Sequence, residues 1–240
     1  MTSEEADLIY ADCAAAGPEL LERLYRDVLS RAFTPAELIS LEEFKIEFAG
    51  QPTRYCGAMM LEDGRPVAGL IAEYSTASGV LLLGYLAVRE DHRSKGIGAA
   101  LLERTVPLWQ ERYKPVATLA EIEDPRLHPA SQFGDPIARV RLYDRLGARF
   151  LPLPYFQPSL ASGLPRVMGM LLISVDAHLD GVPATALTAF LDEYIETYEG
   201  TAARESDPEY LALRAEVIAL GPSVPLQPLT DLIASPKPTR

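Results

Sequence analysis

The sequence predicts an α/β fold in which a central mixed sheet, mostly antiparallel, is flanked by helices and followed by an extra C-terminal helical pair. Apolar runs of strand length alternate with amphipathic helical segments along most of the chain. The dipeptide Asp63-Gly64 joins two neighbouring strand-like runs as a hairpin turn. A polar segment with two glycines connects a nearly all-apolar strand to a long helix. These observations favour one main domain around a single sheet.

The elements of the first half follow from local signals. Apolar residues spaced three or four apart predict a helix from Pro18 to Leu29 and a second helix that opens at Pro35 and ends before Gly50. Asp63-Gly64 marks a reverse turn because Asp and Gly tolerate the positive dihedral angles that such a turn needs. Strands are predicted over residues 6–10, 55–61, 67–74 and 80–88.

Predicted strands and helices also alternate in the second half of the chain. A helix is predicted over residues 96–113, where Pro107 should cause a kink or an early end because proline lacks a backbone donor. Gly147 should end a shorter helix. The remaining predicted strands cover residues 116–123, 150–153 and 167–175, and the last of them should end the sheet. The remaining predicted helices cover residues 137–146, 183–198 and 208–220. We therefore expect a main domain over residues 1–176, a helical extension over 177–221 and a proline-rich, disordered tail over 222–240.

Composition excludes several classes of function. A net charge of -12 repels phosphate backbones, so a nucleic acid is not expected as a partner, whereas a cationic acceptor is favoured. Cys13 and Cys56 have no paired spacing, and the three histidines form no zinc motif, so no metal is expected. The acidic first residues lack a secretory signal and no apolar run is long enough to span a bilayer, which predicts a cytoplasmic protein without a membrane partner.

The segment 84–102, GYLAVREDHRSKGIGAALL, has the features of an anion site. The first amides of a helix have no partner within it, and the helix dipole adds positive potential there. Gly96 and Gly98 let phosphate oxygens approach the backbone, while Arg93 and Lys95 add positive charge. The glycine spacing matches neither a dinucleotide fingerprint nor a nucleotide-triphosphate loop, and an ordinary glycine-containing turn into a core helix remains the alternative.

Arg93, Gly96 and Gly98 after a strand resemble the acetyl-coenzyme A signature of the GNAT superfamily of N-acetyltransferases, whose fold residues 6–175 fit in order. The resemblance implies that acetyl-coenzyme A is the co-substrate and that the sheet splays at the cofactor strand. It implies that the strand residues pair with the pantetheine arm and that the loop holds the pyrophosphate. The implied cofactor-binding residues are Leu86, Ala87, Val88, Arg93, Ser94, Lys95, Gly96, Ile97, Gly98 and Ala99.

Candidate catalytic residues follow the loop. Residues 138–150, ARVRLYDRLGARF, resemble the helix in which the family places a tyrosine four residues before a glycine, and this implies that Tyr143 protonates the leaving thiolate. Glu121 and Glu123 lie two apart on a predicted strand, so both face one side and offer carboxylates to attract and deprotonate an amine. Glu121 is the first choice, since its setting is similar to that of the proposed base in the ribosomal-protein alanine acetyltransferases.

Alternatives stay open for each residue. Tyr143 could be a core aromatic, the two glutamates could be solvated strand-end carboxylates, and Glu73 is the next strand carboxylate to consider as a base. The expected activity is direct transfer of an acetyl group to a primary amine on a small molecule or peptide, within a ternary complex. A non-catalytic acyl-coenzyme A-binding module and an enzyme using a longer acyl donor are the rival interpretations. The sequence does not decide between a monomer and a homodimer.

Overall fold

The structure is a computed structural model that describes residues 8–49 and 54–234. It has a mixed α/β fold with a mostly antiparallel sheet flanked by helices, as the sequence predicts. The chain divides into two compact units. Unit 1 comprises Met1–Glu73 and Leu83–Arg112, and unit 2 comprises Tyr74–Leu82 and Tyr113–Arg240. The strand Val80–Val88 contributes residues to both units, and so does the strand Arg65–Tyr74 through its last residue.

Unit 1 contains the first strands of the sheet and the helices around them. The strands are β1 (Ile9–Asp12), β2 (Tyr55–Glu62), β3 (Arg65–Tyr74) and β4 (Val80–Val88), in that order, with β1 antiparallel to β2 and β2 antiparallel to β3. The helices are α1 (Pro18–Arg23), which continues through a π-helical stretch (Leu24–Leu29) into α2 (Ser30–Ala32), then α3 (Leu41–Ala49) and α4 (Ile97–Tyr113).

The predicted hairpin is confirmed. Asp63 and Gly64 have φ of 50° and 72°, so the turn uses the left-handed dihedrals that its two residues accept at low cost. The predicted start of the second helix at Pro35 is wrong. Helix α3 starts at Leu41 because Ser40 and Glu43 form a reciprocal cap: the Glu43 amide donates to Ser40 Oγ at 3.2 Å and the Ser40 amide to Glu43 Oε2 at 2.8 Å.

Helix α4 and the first strand also differ from the sequence prediction. A kink or an early end was expected at Pro107, and the early end does not occur, because helix α4 continues to Tyr113. The buried face formed by Leu101, Leu102 and Trp109 extends across the proline and keeps the helix packed. The first strand ends at Asp12 rather than at residue 10. Residues 6 and 7 of that predicted strand and Gly50 lie outside the described residues.

Unit 2 contains the other strands and the C-terminal helices. Within it the sheet order is β4-β5-β7-β6-β10, and β8 and β9 form a separate antiparallel pair. The strands are β5 (Ala117–Glu123), β6 (Arg149–Phe150), β7 (Met170–Ser174), β8 (Gly181–Pro183), β9 (Ser223–Pro225) and β10 (Gln227–Pro228). The helices are α5 (Pro136–Arg145), α6 (Ala184–Glu199), α7 (Thr201–Ser206), α8 (Pro208–Ala219) and α9 (Thr230–Ala234).

The carboxyl-terminal segment corrects the sequence prediction. Residues 222–234, expected to be disordered, contain β9, β10 and α9, and the sheet does not end at β7 because β10 pairs with β6. Leu229 and Leu232 are buried, so apolar contacts hold this segment in place. Residues 235–240 of the predicted tail lie outside the described residues.

Helices α6 and α8 share a hydrophobic core with β5 and β7. Leu119 and Leu172 of the strands pack in one cluster with Leu187 of α6 and Leu213 of α8. The predicted boundary between residues 176 and 177 remains a prediction, yet the helices beyond it cover one face of the sheet in unit 2. Among the described residues, no helix combines the length and apolar character needed to span a membrane.

Candidate functional site

The predicted anion loop lies in unit 1, between β4 and α4. Ser94 and Gly96 have φ of 63° and 78°, and these left-handed residues turn the chain into the helix. The Ala100 amide donates to the Gly96 carbonyl at 3.0 Å, so the amides of residues 97–99 precede the first hydrogen bond of α4. Three adjacent donors at the positive end of a 17-residue helix make an anion site.

Side chains leave this loop open. Ser94, Lys95 and Gly96 are exposed, while Ile97 is buried and anchors the first turn of the helix. A Cβ added to Gly98 would meet only Val88 Cγ2, at 3.3 Å, so the space above that backbone is free for another group. The predicted loop residues therefore form an open cradle of backbone amides, and the binding of a pyrophosphate there stays a prediction.

Arg93 and the strand residues are arranged beside that cradle. The Arg93 Nε donates to the Val88 carbonyl at 3.2 Å, which turns part of the guanidinium toward the strand end. Leu86 and Val88 are half-buried, whereas Ala87 is buried. This alternation of burial is that of a strand with one covered face. The expected role of these residues in pantetheine binding stays a prediction.

A buried histidine supports the start of the loop, and sequence reasoning missed it. The two ring nitrogens of His92 lie 2.8 Å from Glu62 Oε2 and 2.7 Å from Asp91 Oδ1. Asp91 also accepts two hydrogen bonds from Arg89, and the bonds from Arg89 and His92 hold the pKa of this carboxyl well below its usual range. These contacts connect the turn before Arg93 with the end of β2.

Glu121 and Glu123 lie in unit 2, on the same side of β5, as predicted. Both are half-buried, while Ile122 between them is fully buried. Their carboxylates have different partners. Glu121 Oε1 accepts a hydrogen bond from Tyr155 Oη at 2.5 Å, and Glu121 Oε2 accepts one from Tyr194 Oη at 3.1 Å. Two phenols therefore hold Glu121, one on each oxygen.

Glu123 is paired with a cation instead. Arg139 Nη1 of α5 donates to Glu123 Oε2 at 2.9 Å, and both side chains are mostly buried. This pairing balances the negative charge of Glu123. Glu73, the alternative base, lies in unit 1 and forms an ion pair with Arg54 at 3.1 Å.

Tyr143 lies near the end of α5, one turn after Arg139. Gly147, with φ of 77°, ends the helix as predicted, and the Ala148 amide donates to the Tyr143 carbonyl at 3.0 Å. The tyrosine is buried, and burial raises the pKa of its phenol to about 12, although the charge of Arg139 acts in the opposite direction. Its hydroxyl therefore keeps its proton at neutral pH, and the role of Tyr143 as an acid stays a prediction.

The contacts divide the predicted residues of unit 2 into two groups. Arg139 pairs with Glu123 and its charge acts on the pKa of Tyr143, whereas Tyr155 and Tyr194 donate to Glu121. Tyr155 and Tyr194 were missed because they lie 34 and 73 residues from Glu121 in sequence. A signal was present in the repeat of Phe190, Tyr194 and Tyr198 along α6, since a buried tyrosine needs a partner for its hydroxyl.

Residues 19–133 match the model of the Acetyltransferase (GNAT) family. This range contains the loop of residues 93–99 and both glutamates of β5, whereas Tyr143, Tyr155 and Tyr194 lie beyond it. A search of curated proteins gave no significant match.

Solved structures share the fold. A protein assigned to the GNAT family from Bacteroides thetaiotaomicron is 20% identical, with a TM-score of 0.54 over 76% of this chain and 92% of its own. A GNAT-family acetyltransferase from Streptococcus pneumoniae is 15% identical, with a TM-score of 0.50 over 70% of this chain and 98% of its own. At these identities the likeness concerns the course of the backbone.

Proposed function

We propose that this chain, whose residues 19–133 match the model of the GNAT acetyltransferase family, transfers the acetyl group of acetyl-coenzyme A to a primary amine. The observation that carries the proposal is the open cradle at the start of α4, which lies inside the range that matches the family model. A negatively charged diphosphate is the group that such a cradle suits.

Coenzyme A would be held by three kinds of group. The amides of residues 97–99 would receive the pyrophosphate, and Lys95 and Arg93 would add positive charge to it. The backbone of Leu86, Ala87 and Val88 would pair with the pantetheine arm. Gly98 matters because a larger side chain there would occupy the space that the phosphate oxygens need.

Acetyl-coenzyme A supplies an activated acetyl thioester to this reaction. The acceptor amine is protonated at neutral pH, so its nitrogen must lose a proton before it can attack. Glu121 takes that proton, directly or through one water. The nitrogen then forms a bond to the acetyl carbon and the carbon–sulfur bond breaks. Tyr143 donates its phenolic proton to the departing sulfur, and the nitrogen gives up its second proton, which restores the Tyr143 phenol directly or through solvent. Free thiol and amide are the products, and Glu121 releases the first proton to solvent.

The acceptor class follows from charge. The net charge of -12 and the carboxylate of Glu121 favour a cation over an anion as acceptor. Glu123 contributes less to this attraction than the sequence suggested, because Arg139 balances its charge. We assign Glu123 to the support of Arg139 and leave the base role to Glu121.

The experiment that tests this function measures free thiol released from acetyl-coenzyme A. The wild-type protein is assayed with a diamine, a lysine peptide blocked at its amino terminus and a peptide with a free amino terminus. Thiol release with at least one amine, together with the matching acetylated product by mass spectrometry, is the expected result. Repeating the assay with propionyl- and butyryl-coenzyme A tests the longer acyl donor.

The rival outcomes are distinct. Saturable binding of acetyl-coenzyme A without thiol release for any amine would identify a binding module and overturn the proposed activity. Release only with a longer acyl donor would change the donor and leave the mechanism intact. Absence of coenzyme A binding would overturn the assignment of the loop itself.

A further inference from the structure

The carboxylate of Glu121 is held by residues outside the range that matches the family model. Tyr155 comes from the segment after β6 and Tyr194 from α6, and their hydroxyls donate to different oxygens of the same carboxylate. Both tyrosines are buried, with 3% and 8% of their surfaces exposed. Hydrogen bonds to a charged group inside a protein are stronger than those between neutral groups.

The position of each ring is fixed by its own surroundings. The ring of Tyr194 stacks on Phe190 at 5.4 Å between centroids and meets the edge of Tyr198 at 5.3 Å. The Tyr155 amide donates to the Leu153 carbonyl at 2.8 Å, which sets a tight turn in the backbone at this point. Neither hydroxyl is therefore on a freely moving side chain.

An arginine clamp fixes the segment that carries Tyr155 to the C-terminal helices. Arg166, near the end of this segment, bonds Glu199 at the end of α6, Asp207 next to α8, and Glu209 in α8. Its guanidinium lies 4.6 Å from the centroid of the Phe156 ring, the neighbour of Tyr155. The C-terminal extension thus supplies one phenol and helps to fix the other.

Both phenols are hydrogen-bond donors to Glu121. Burial, and then the negative charge of Glu121, raise the pKa of Tyr155 well above its usual value, so its hydroxyl keeps its proton. A carboxylate that accepts two such bonds is stabilised in its ionised form relative to a carboxylate in water without them. An ionised carboxylate of this kind can bind an ammonium group.

We propose that Tyr155 and Tyr194 are positioning residues that keep the Glu121 carboxylate ionised and correctly aimed toward the acceptor amine. This inference rests on the proposed function, and it assigns to the C-terminal helices a direct part in acceptor recognition. The charged side chains next to the site along the same elements have partners of their own. On β5, Glu123 pairs with Arg139 of α5. On α6, the neighbouring Glu193 accepts a hydrogen bond from Ser75.

The test removes one hydroxyl at a time and keeps each ring. Tyr155→Phe, Tyr194→Phe and the double variant are compared with Tyr210→Phe. The control also loses a phenol that donates to a carboxylate on α6, that of Asp192, but it does not touch Glu121. All four variants are first checked by thermal unfolding, and Tyr194→Phe carries the test should Tyr155→Phe fail to fold.

Two measurements are made on each variant. The titration of the Glu121 carboxyl is followed by NMR with 13C-labelled glutamate, with its signal assigned by its loss in Glu121→Gln. The midpoint should rise by about one pH unit for each phenol removed, because each charge-assisted bond favours the ionised form. The acidic limb of kcat/KM against pH should move in the same direction, whereas both should stay in place in Tyr210→Phe.

The outcomes separate this inference from the proposed function. An unchanged midpoint in both Tyr155→Phe and Tyr194→Phe, or an equal change in Tyr210→Phe, would overturn the positioning role. A raised midpoint in a protein that releases no thiol with any amine would support the positioning role and count against acetyl transfer. A raised midpoint with a matching shift in the rate profile supports both.

Discussion

The cradle at the start of α4 and the surroundings of Glu121 are built in different ways. The cradle comes from one continuous segment, and its donors are backbone amides that any side chain at those positions would still provide. The Glu121 site is assembled from β5, the segment after β6 and helix α6, and it depends on side-chain hydroxyls. Binding of the cofactor should thus tolerate changes in the C-terminal helices, whereas the handling of the acceptor should not.

The largest effect is expected from Tyr143→Phe, because the ring remains and only the proton donor is lost. Turnover at saturating substrates should fall by about 100-fold to 10,000-fold, with little change in the dissociation constant of coenzyme A. Steady-state kinetics and calorimetric binding measure the two quantities. Tyr25→Phe, which loses a hydrogen bond to the Ile39 carbonyl, is the matched control. Turnover equal to that of the control would exclude the acid role.

Glu121→Gln should come next. The rate at neutral pH should fall by about 100-fold, and the loss should shrink at high pH, where the free amine is already abundant. Glu123→Gln should chiefly raise KM, and by no more than about fivefold, since Arg139 already balances that charge. Rates measured from pH 6 to 10 compare the two carboxylates. Equal losses in both variants would remove the distinction between them.

Gly98→Leu addresses the cradle alone. A Cβ at this position lies 3.3 Å from Val88 Cγ2, and the rest of the leucine would extend into the space above the helix start. The dissociation constant of coenzyme A should rise by about 10-fold to 100-fold while the fold persists. Ala100→Leu, at an exposed position of α4, is the control. Unchanged affinity in Gly98→Leu would mean that the phosphates bind elsewhere.

The smallest effect on activity is expected from Arg166→Met, which tests the support of the Glu121 site from a distance. The free energy of unfolding should fall by about 1–3 kcal/mol, because three carboxylates lose their shared cation. Coenzyme A affinity should not change, and kcat should fall by a few-fold. Arg204→Met, which removes a more exposed cation from α7, should destabilise the protein less.

This stability difference should depend on pH. Although burial raises the pKa of Glu199, its hydrogen bonds to Arg166 offset that effect, and the net pKa lies below the usual value. A carboxyl with a lowered pKa stabilises the fold above its unfolded-state pKa and loses that contribution as the pH falls through the lowered value. Wild type and Arg166→Met should therefore differ most near neutral pH and converge in acid, as urea unfolding curves would show.

Local signals in the sequence predicted the parts of the molecule that local forces determine. The turn at Asp63-Gly64, the capping glycine Gly147 and the helix start at Gly96 all need left-handed dihedrals, and glycine or aspartate at these positions signals them. Pro35 misled the prediction because proline fits a turn as well as the first turn of a helix. The reciprocal bonds of Ser40 and Glu43 determined the true start of α3.

Long-range contacts account for what the sequence did not show. The order of residues 222–234 arises from the pairing of β9 with β8 and of β10 with β6, which joins positions far apart in the chain. The proline content suggested disorder, but the apolar residues Val224, Leu229 and Leu232 are buried. Glu121 was correctly placed beside Glu123 by the period of a strand, yet only the folded chain brings two phenols to it.

The outer strand of unit 2, β10, offers few backbone groups to a strand of a second molecule. A strand at the edge of a sheet presents unpaired amides and carbonyls to which a second molecule can add its own strand. Strand β10 is only two residues long and exposed, one of its residues is Pro228, and Pro225 precedes it in β9. Proline offers no amide to an incoming strand. Replacing Pro228 with valine should therefore raise the tendency to form edge-to-edge aggregates at high concentration.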